Sequence, residues 1–151
     1  MLASQQVIAN IVARLIAAST SAGARVYSNR FHPLDVYPAI KVKHVDEDLH
    51  AADEDITWPQ QRMHLLQVDV AGHVQAATGL DDAMAAMTAE LLGALEGSLA
   101  AASVNPLPGC QLIATGISYQ AQTDGEASTG IATVRVEVVF HTASNNPSTL
   151  I

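Results

Sequence analysis

Residues 131–141 read Ile-Ala-Thr-Val-Arg-Val-Glu-Val-Val-Phe-His. Val134, Val136, Val138 and Phe140 fall on one side, and Thr133, Arg135, Glu137 and Val139 on the other. Strict alternation of this kind belongs to a β-strand with one buried face, because successive strand side chains point to opposite sides. A helix would scatter the same apolar residues around its circumference.

The neighbouring segments repeat the signal. Leu112 to Gln122 reads as a strand with Ile113, Thr115, Ile117 and Tyr119 on one face. The polar run from Thr123 to Gly130 joins it to the last strand as a hairpin loop. Gln61 to Val74 alternates with His64, Leu66, Val68 and Val70 on one side, and Met63, Leu65, Gln67 and Asp69 on the other. Ala39 to Val45 places Ile40, Val42 and His44 opposite Lys41 and Lys43. Arg25-Val26-Tyr27 is a shorter strand, followed by a loop bracketed by Pro33 and Pro38.

Two segments change period. In residues 4–18, Val7, Ile8, Ile11, Val12, Leu15 and Ile16 form one helical stripe, with Ser4 as N-cap and Ser19 to Gly23 as the stop. Leu80, Met84, Met87, Leu91, Leu95 and Leu99 form a second stripe, opened by Asp81 and Asp82 at the positive end of the helix dipole. Gly93 and Gly97 lie four apart on it and read as a close-packing face. Asn105-Pro106-Leu107-Pro108-Gly109 ends that helix. The order is α-β-β-β-α-β-β. It predicts an α+β fold: a mostly antiparallel sheet of four to five strands with two helices packed on one face. Residues 1–143 are expected to form one domain, and 144–151 a polar tail that is mobile unless a partner orders it.

Composition narrows the function. The 151 residues carry a net charge of −8, and the seven Lys and Arg form no run, which argues against a binder of nucleic-acid backbones. Only 4% are aromatic, so the core is aliphatic. Cys110 stands alone, so no intrachain disulfide forms and synthesis in a reducing cytosol fits. No signal peptide is expected, and no apolar run approaches the ~20 residues needed to span a bilayer.

No enzyme emerges from the motifs. G-x-S-x-G, the P-loop and G-x-G-x-x-G are absent, and Cys110 has no histidine near it in sequence. The histidines lack zinc spacing. His44 and His50 are separated by a loop, and His64 and His73 point to opposite faces of one strand. Residues 46–55 hold six of the fifteen acids: Asp46, Glu47, Asp48, Asp53, Glu54 and Asp55. They contain no glycine for a calcium loop. Charges this dense are hydrated and repel one another, so a solvated acidic loop is expected. Neither metal nor cofactor is expected. The adjoining Trp58 reads as a core or edge cap, or as an interface anchor.

The organisation resembles a known family, the tail terminator (tail completion, minor tail protein U-like) proteins of long-tailed bacteriophages. The resemblance rests on Gly23-Ala24-Arg25-Val26-Tyr27, on Tyr37-Pro38-Ala39-Ile40-Lys41-Val42, and on Arg62 to Val70. Leu80-Asp81-Asp82-Ala83 and Gly130 to Phe140 complete it. It covers nearly the whole chain through element order, with no single diagnostic motif.

The resemblance implies a non-enzymatic virion protein, made in the host cytoplasm and placed at the head-proximal end of the tail. It implies a homohexameric ring on the tail tube that ends tube growth and meets the head connector or neck protein. Six copies at −8 each carry −48. DNA would pass such a channel without specific binding, and no membrane is involved. Asp46, Glu47, Asp48, Asp53, Glu54, Asp55 and Trp58 are the candidate interaction residues. A neck protein of the same virion is the alternative. A small α+β enzyme or ligand-binding subunit using His44, His64 and the acids is the rival of another class.

Overall fold

A computed structural model describes residues 2–28, 36–51, 61–95, 110–124, 127–143 and 146–150. The elements follow in the order α1 (Ala3–Ala17), β1 (Val26–Tyr27), β2 (Ala39–Ala51), β3 (Gln61–Ala76), α2 (Leu80–Leu95), β4 (Gln111–Asp124), β5 (Ala127–Ala143) and β6 (Asn146–Leu150). One six-stranded sheet has the path β1-β2-β3-β5-β4, with β6 attached to β5. Only β1 against β2 is parallel; the other pairs are antiparallel. The α+β class and the two helices on one face agree with the sequence reading.

β3 and β5 form the centre because each is apolar at every second residue. Their register sets Leu66 opposite Val138, Val68 opposite Val136 and Val70 opposite Val134. These six side chains are fully buried, with Val7, Ile11 and Leu15 of α1 and Met87, Leu91 and Leu95 of α2 above them. Full burial of each such aliphatic side chain stabilises by about 1.5–3 kcal/mol. Gly72 of β3 and Gly130 of β5 lie where a β-carbon would press into Met87 and Met84, so α2 rides close over the sheet.

Several expectations are corrected. Leu2 stands at the N-cap of α1, and its N–H donates to Gln5 Oε1 at 3.0 Å, whereas Ser4 is buried in the first turn. The expected loop after Val45 is strand: β2 continues to Ala51. Among the described residues, no other element places an atom within 4 Å of an ideal β-carbon at Gly93. The 123–130 loop is shorter than expected, because pairing extends to Asp124 opposite Ala127. Residues 146–150 form β6, with Leu150 opposite Thr142, where a tail was expected. Pro33, Asn105 to Gly109, Gly97 and Leu99 lie outside the described residues.

β4 also departs from its predicted face. A bulge between Ala114 and Gly116 shifts the register, so Ile113 opposes Glu137 while Ile117 opposes Val134 and Tyr119 opposes Ala132. Opposed residues in an antiparallel pair share a face. Ile113 is therefore on the helix-free side, and Ile117 and Tyr119 on the helix side. Thr88 of α2 is 3.4 Å from the Tyr119 hydroxyl.

Candidate interaction surface

The acidic segment is split by a second bulge. β2 pairs His44 with Val68, then Asp46 with Gln67, leaving Val45 as the extra residue. Beyond it the alternation inverts. Glu47 opposes Leu66 and Leu49 opposes His64, both on the helix side. Asp46, Asp48 and His50 oppose Gln67, Leu65 and Met63 on the helix-free side. Glu47 N–H donates to Asp46 Oδ1 at 2.9 Å within the bulge.

Glu47 is consequently only partly exposed. Its Oε1 is 2.7 Å from Nδ1 of His64, and its Oε2 is 3.6 Å from Nε2 of His44. His64 is 7% exposed, stacks on Phe140 at 4.6 Å between ring centroids, and places Nε2 2.7 Å from Thr142 Oγ1. A carboxylate can only accept, so Nδ1 of His64 carries the proton. Neutral His64 then accepts from the Thr142 hydroxyl, and charged His64 donates to it. Both ring nitrogens are satisfied in either state, as a buried polar group requires.

The sequence Thr142, His64, Glu47 has the order of a nucleophile, a base and an orienting acid. A cavity of about 230 Å³ borders all three, with Leu2, Leu49, Arg62 and Pro147 around it. Thr142 is only 1% exposed, however, and its hydroxyl is held in the strand hydrogen-bonded to His64. The chain of bonds ties β2, β3 and β5 together beneath the cavity and sets the direction of the acidic strand.

Of the residues expected to interact, Asp46 and Asp48 are exposed on the helix-free face. Asp53, Glu54, Asp55 and Trp58 lie outside the described residues. Lys43 opposes Asp69 in register, and Arg135 Nε is 3.2 Å from Asp69 Oδ1. Such exposed pairs contribute little to stability. Among the described residues, no group of three or more His, Cys, Asp and Glu is arranged to hold a metal. No helix among them is long and apolar enough to cross a membrane. Burial pushes the Cys110 thiol up to about 11, which keeps it protonated and unreactive at neutral pH.

His73 lies on the helix-free side, opposite His64 as expected. Burial first, then Lys41 and Lys43, lower its pKa from 6.5 to about 4. Its Nε2 is buried with no hydrogen-bond partner among the described residues. The unfolded chain therefore takes up a proton near pH 6.5 that the folded chain refuses until about pH 4. Stability is unaffected above this window and falls as the pH drops through it. Thermal unfolding of His73→Gln should lose less than wild type between pH 7.5 and 4.5. The difference should be a few °C, about 1 kcal/mol after discounting for the partial exposure of His73. Parallel curves would remove His73 as the cause.

Among the described residues, both long edges of the sheet are unpaired. β1 covers only Ile40 and Lys41, so no described strand pairs with the outer side of β2 from Val42 to Ala51. At the other end, every described β4 side chain except Leu112 is exposed, including Ile113 at 65% and Tyr119 at 52%. Sequence reasoning missed the Glu47–His64–Thr142 connection and the acidic edge. The consecutive Asp46-Glu47-Asp48 carries no sign of which acid turns inward.

No protein-family model matches the chain, and no curated protein matches it. Among solved structures, a chain described as "Virion of native gene transfer agent (GTA) particle" is similar at 23% identity. The match covers 91% of this chain and 92% of that one, with a TM-score of 0.40.

Proposed function

We propose that the protein is a structural component of a virion, a tail terminator. Six copies would form a ring that caps the tail tube, ends its polymerisation and meets the head connector. The observation that carries this reading is the sheet itself. It has helices on one face and, among the described residues, an unpaired strand at each end, one bearing Asp46 and Asp48 and one uncharged from Gln111 to Thr123. A ring subunit needs two unlike edges and polar strand surfaces, since head-to-tail contacts join different patches of neighbouring copies. The element order also supports the resemblance to tail terminators described above.

In this reading Asp46, Asp48, Asp53, Glu54 and Asp55 meet a neighbour, the tube or the channel, with Trp58 as an anchor. Glu47 serves inside the fold. The test replaces these five acids with Asn and Gln and spares Glu47. The unfolding temperature should move by no more than about 3 °C, as for surface changes generally, while ring assembly or tail completion fails. Unchanged assembly and infectivity would remove the acidic segment from the function.

A further inference from the structure

The two open edges differ in chemistry, and the difference selects a partner. The strand 111–123 contains no acidic, basic or imidazole side chain, in a chain of net charge −8. It also lacks the lysines and prolines with which exposed edge strands are normally protected. On its helix-free side it presents hydrogen-bond donors: Ser118 opposes Thr133, Gln120 opposes Ile131 and Gln122 opposes Thr129. The outer side of β2 presents acceptors on the same side of the sheet, Asp46 and Asp48. Two β2 edges would bring acids onto acids, which destabilises a pair of strands. An uncharged β4 edge rich in amide and hydroxyl donors meets β2 without that repulsion.

The strand directions agree. β2 and β5 run one way and β3 and β4 the other, so β4 is antiparallel to β2. Copies related by rotation about an axis along the strands bring β4 of one copy beside β2 of the next, still antiparallel.

We propose that β4 of one copy pairs with the outer edge of β2, from Val42 to Ala51, in the next copy. The sheets then join head to tail into one closed β-surface, with the side chains of Gln120 and Ser118 on the carboxylates of Asp46 and Asp48. This is strand addition between copies, in which backbone hydrogen bonds supply attraction and the side chains supply selectivity. Closure leaves no unpaired edge. The inference rests on the ring reading and names the interface that builds the ring.

The test measures mass by light scattering and native mass spectrometry over a range of concentrations. Wild type should form a ring. Ser118→Glu with Gln120→Glu places acid against acid and should weaken assembly roughly tenfold or more, with the far-UV spectrum of each monomer unchanged. Adding Asp46→Lys and Asp48→Lys to the same chain should restore the ring. A ring unmoved by the added β4 acids overturns this edge pairing while leaving the ring reading intact. A dimer lost with the β4 acids and not restored by the lysines assigns β4 to itself and overturns the pairing. Wild type that stays monomeric throughout overturns both.

Discussion

Phe140→Ala is expected to cost about 3–5 kcal/mol of folding stability, measured as a fall in the urea midpoint at constant slope. Phe140 is fully buried and is among the largest side chains of the core. Domains of this size are typically stable by about 5–15 kcal/mol, so the loss removes about a fifth or more of the total. Two effects combine at this position. The first is the cavity left between β5 and the helices. The second is loss of the ring on which His64 stacks at 4.6 Å with 11° between planes. His64 bridges Glu47 and Thr142, so disorder there loosens the bulged part of β2 as well. Phe140→Leu keeps much of the volume and should cost less. A loss below about 1 kcal/mol for the alanine variant would mean that the core closes around the gap.

The second large effect runs the other way, from adding an atom. A β-carbon on Gly72 would overlap Met87 Cγ and lie 2.7 Å from its Sδ, with Leu91 Cδ1 at 3.4 Å. The Cγ atom lies near the root of the Met87 side chain, so the clash is not relieved by swinging the methyl end aside. Gly72→Ala should destabilise by about 1–3 kcal/mol through overpacking. At Gly130 the same carbon would meet Met84 Sδ at 2.7 Å and Cγ at 3.0 Å, a milder contact. Combining Gly72→Ala with Met87→Ala gives the decisive measurement. The double variant should lose less than the sum of the two single losses, because the truncated Met87 makes room for the new methyl. Strictly additive losses would show that α2 does not sit on Gly72 as described.

Much of this arrangement is legible along the chain. The alternation at residues 131–141 and 61–74 names the two central strands and their buried faces correctly. That is because a long strand buried on one side carries its period in its own side chains. The stripe from Leu80 to Leu95 likewise names the buried face of α2, with Met84, Met87, Leu91 and Leu95 all buried. The failures cluster where a property belongs to two strands together. Ile113 and Ile117 look alike by spacing, and the bulge at Ala114/Gly116 puts them on opposite sides. Glu47 looks like one acid in a hydrated run, and the bulge after His44 turns it onto His64. Residues 146–150 look like a polar tail, because too few apolar residues remain to announce a strand. Their pairing depends on an edge of β5 that β4 leaves free.

What the sequence by itself determined is the class of fold, the two helical stripes and the central strands. Side-chain periodicity and charge are local properties, and they survive without knowledge of the partner. Tertiary structure alone decided the register. A bulge adds one residue to a strand relative to its neighbour, and that excess has no meaning until the neighbour is in place. One inserted residue after His44 moves Glu47 into the fold and leaves Asp46 and Asp48 outside. The part-buried bridge to His64 and the acidic outer edge both follow from it.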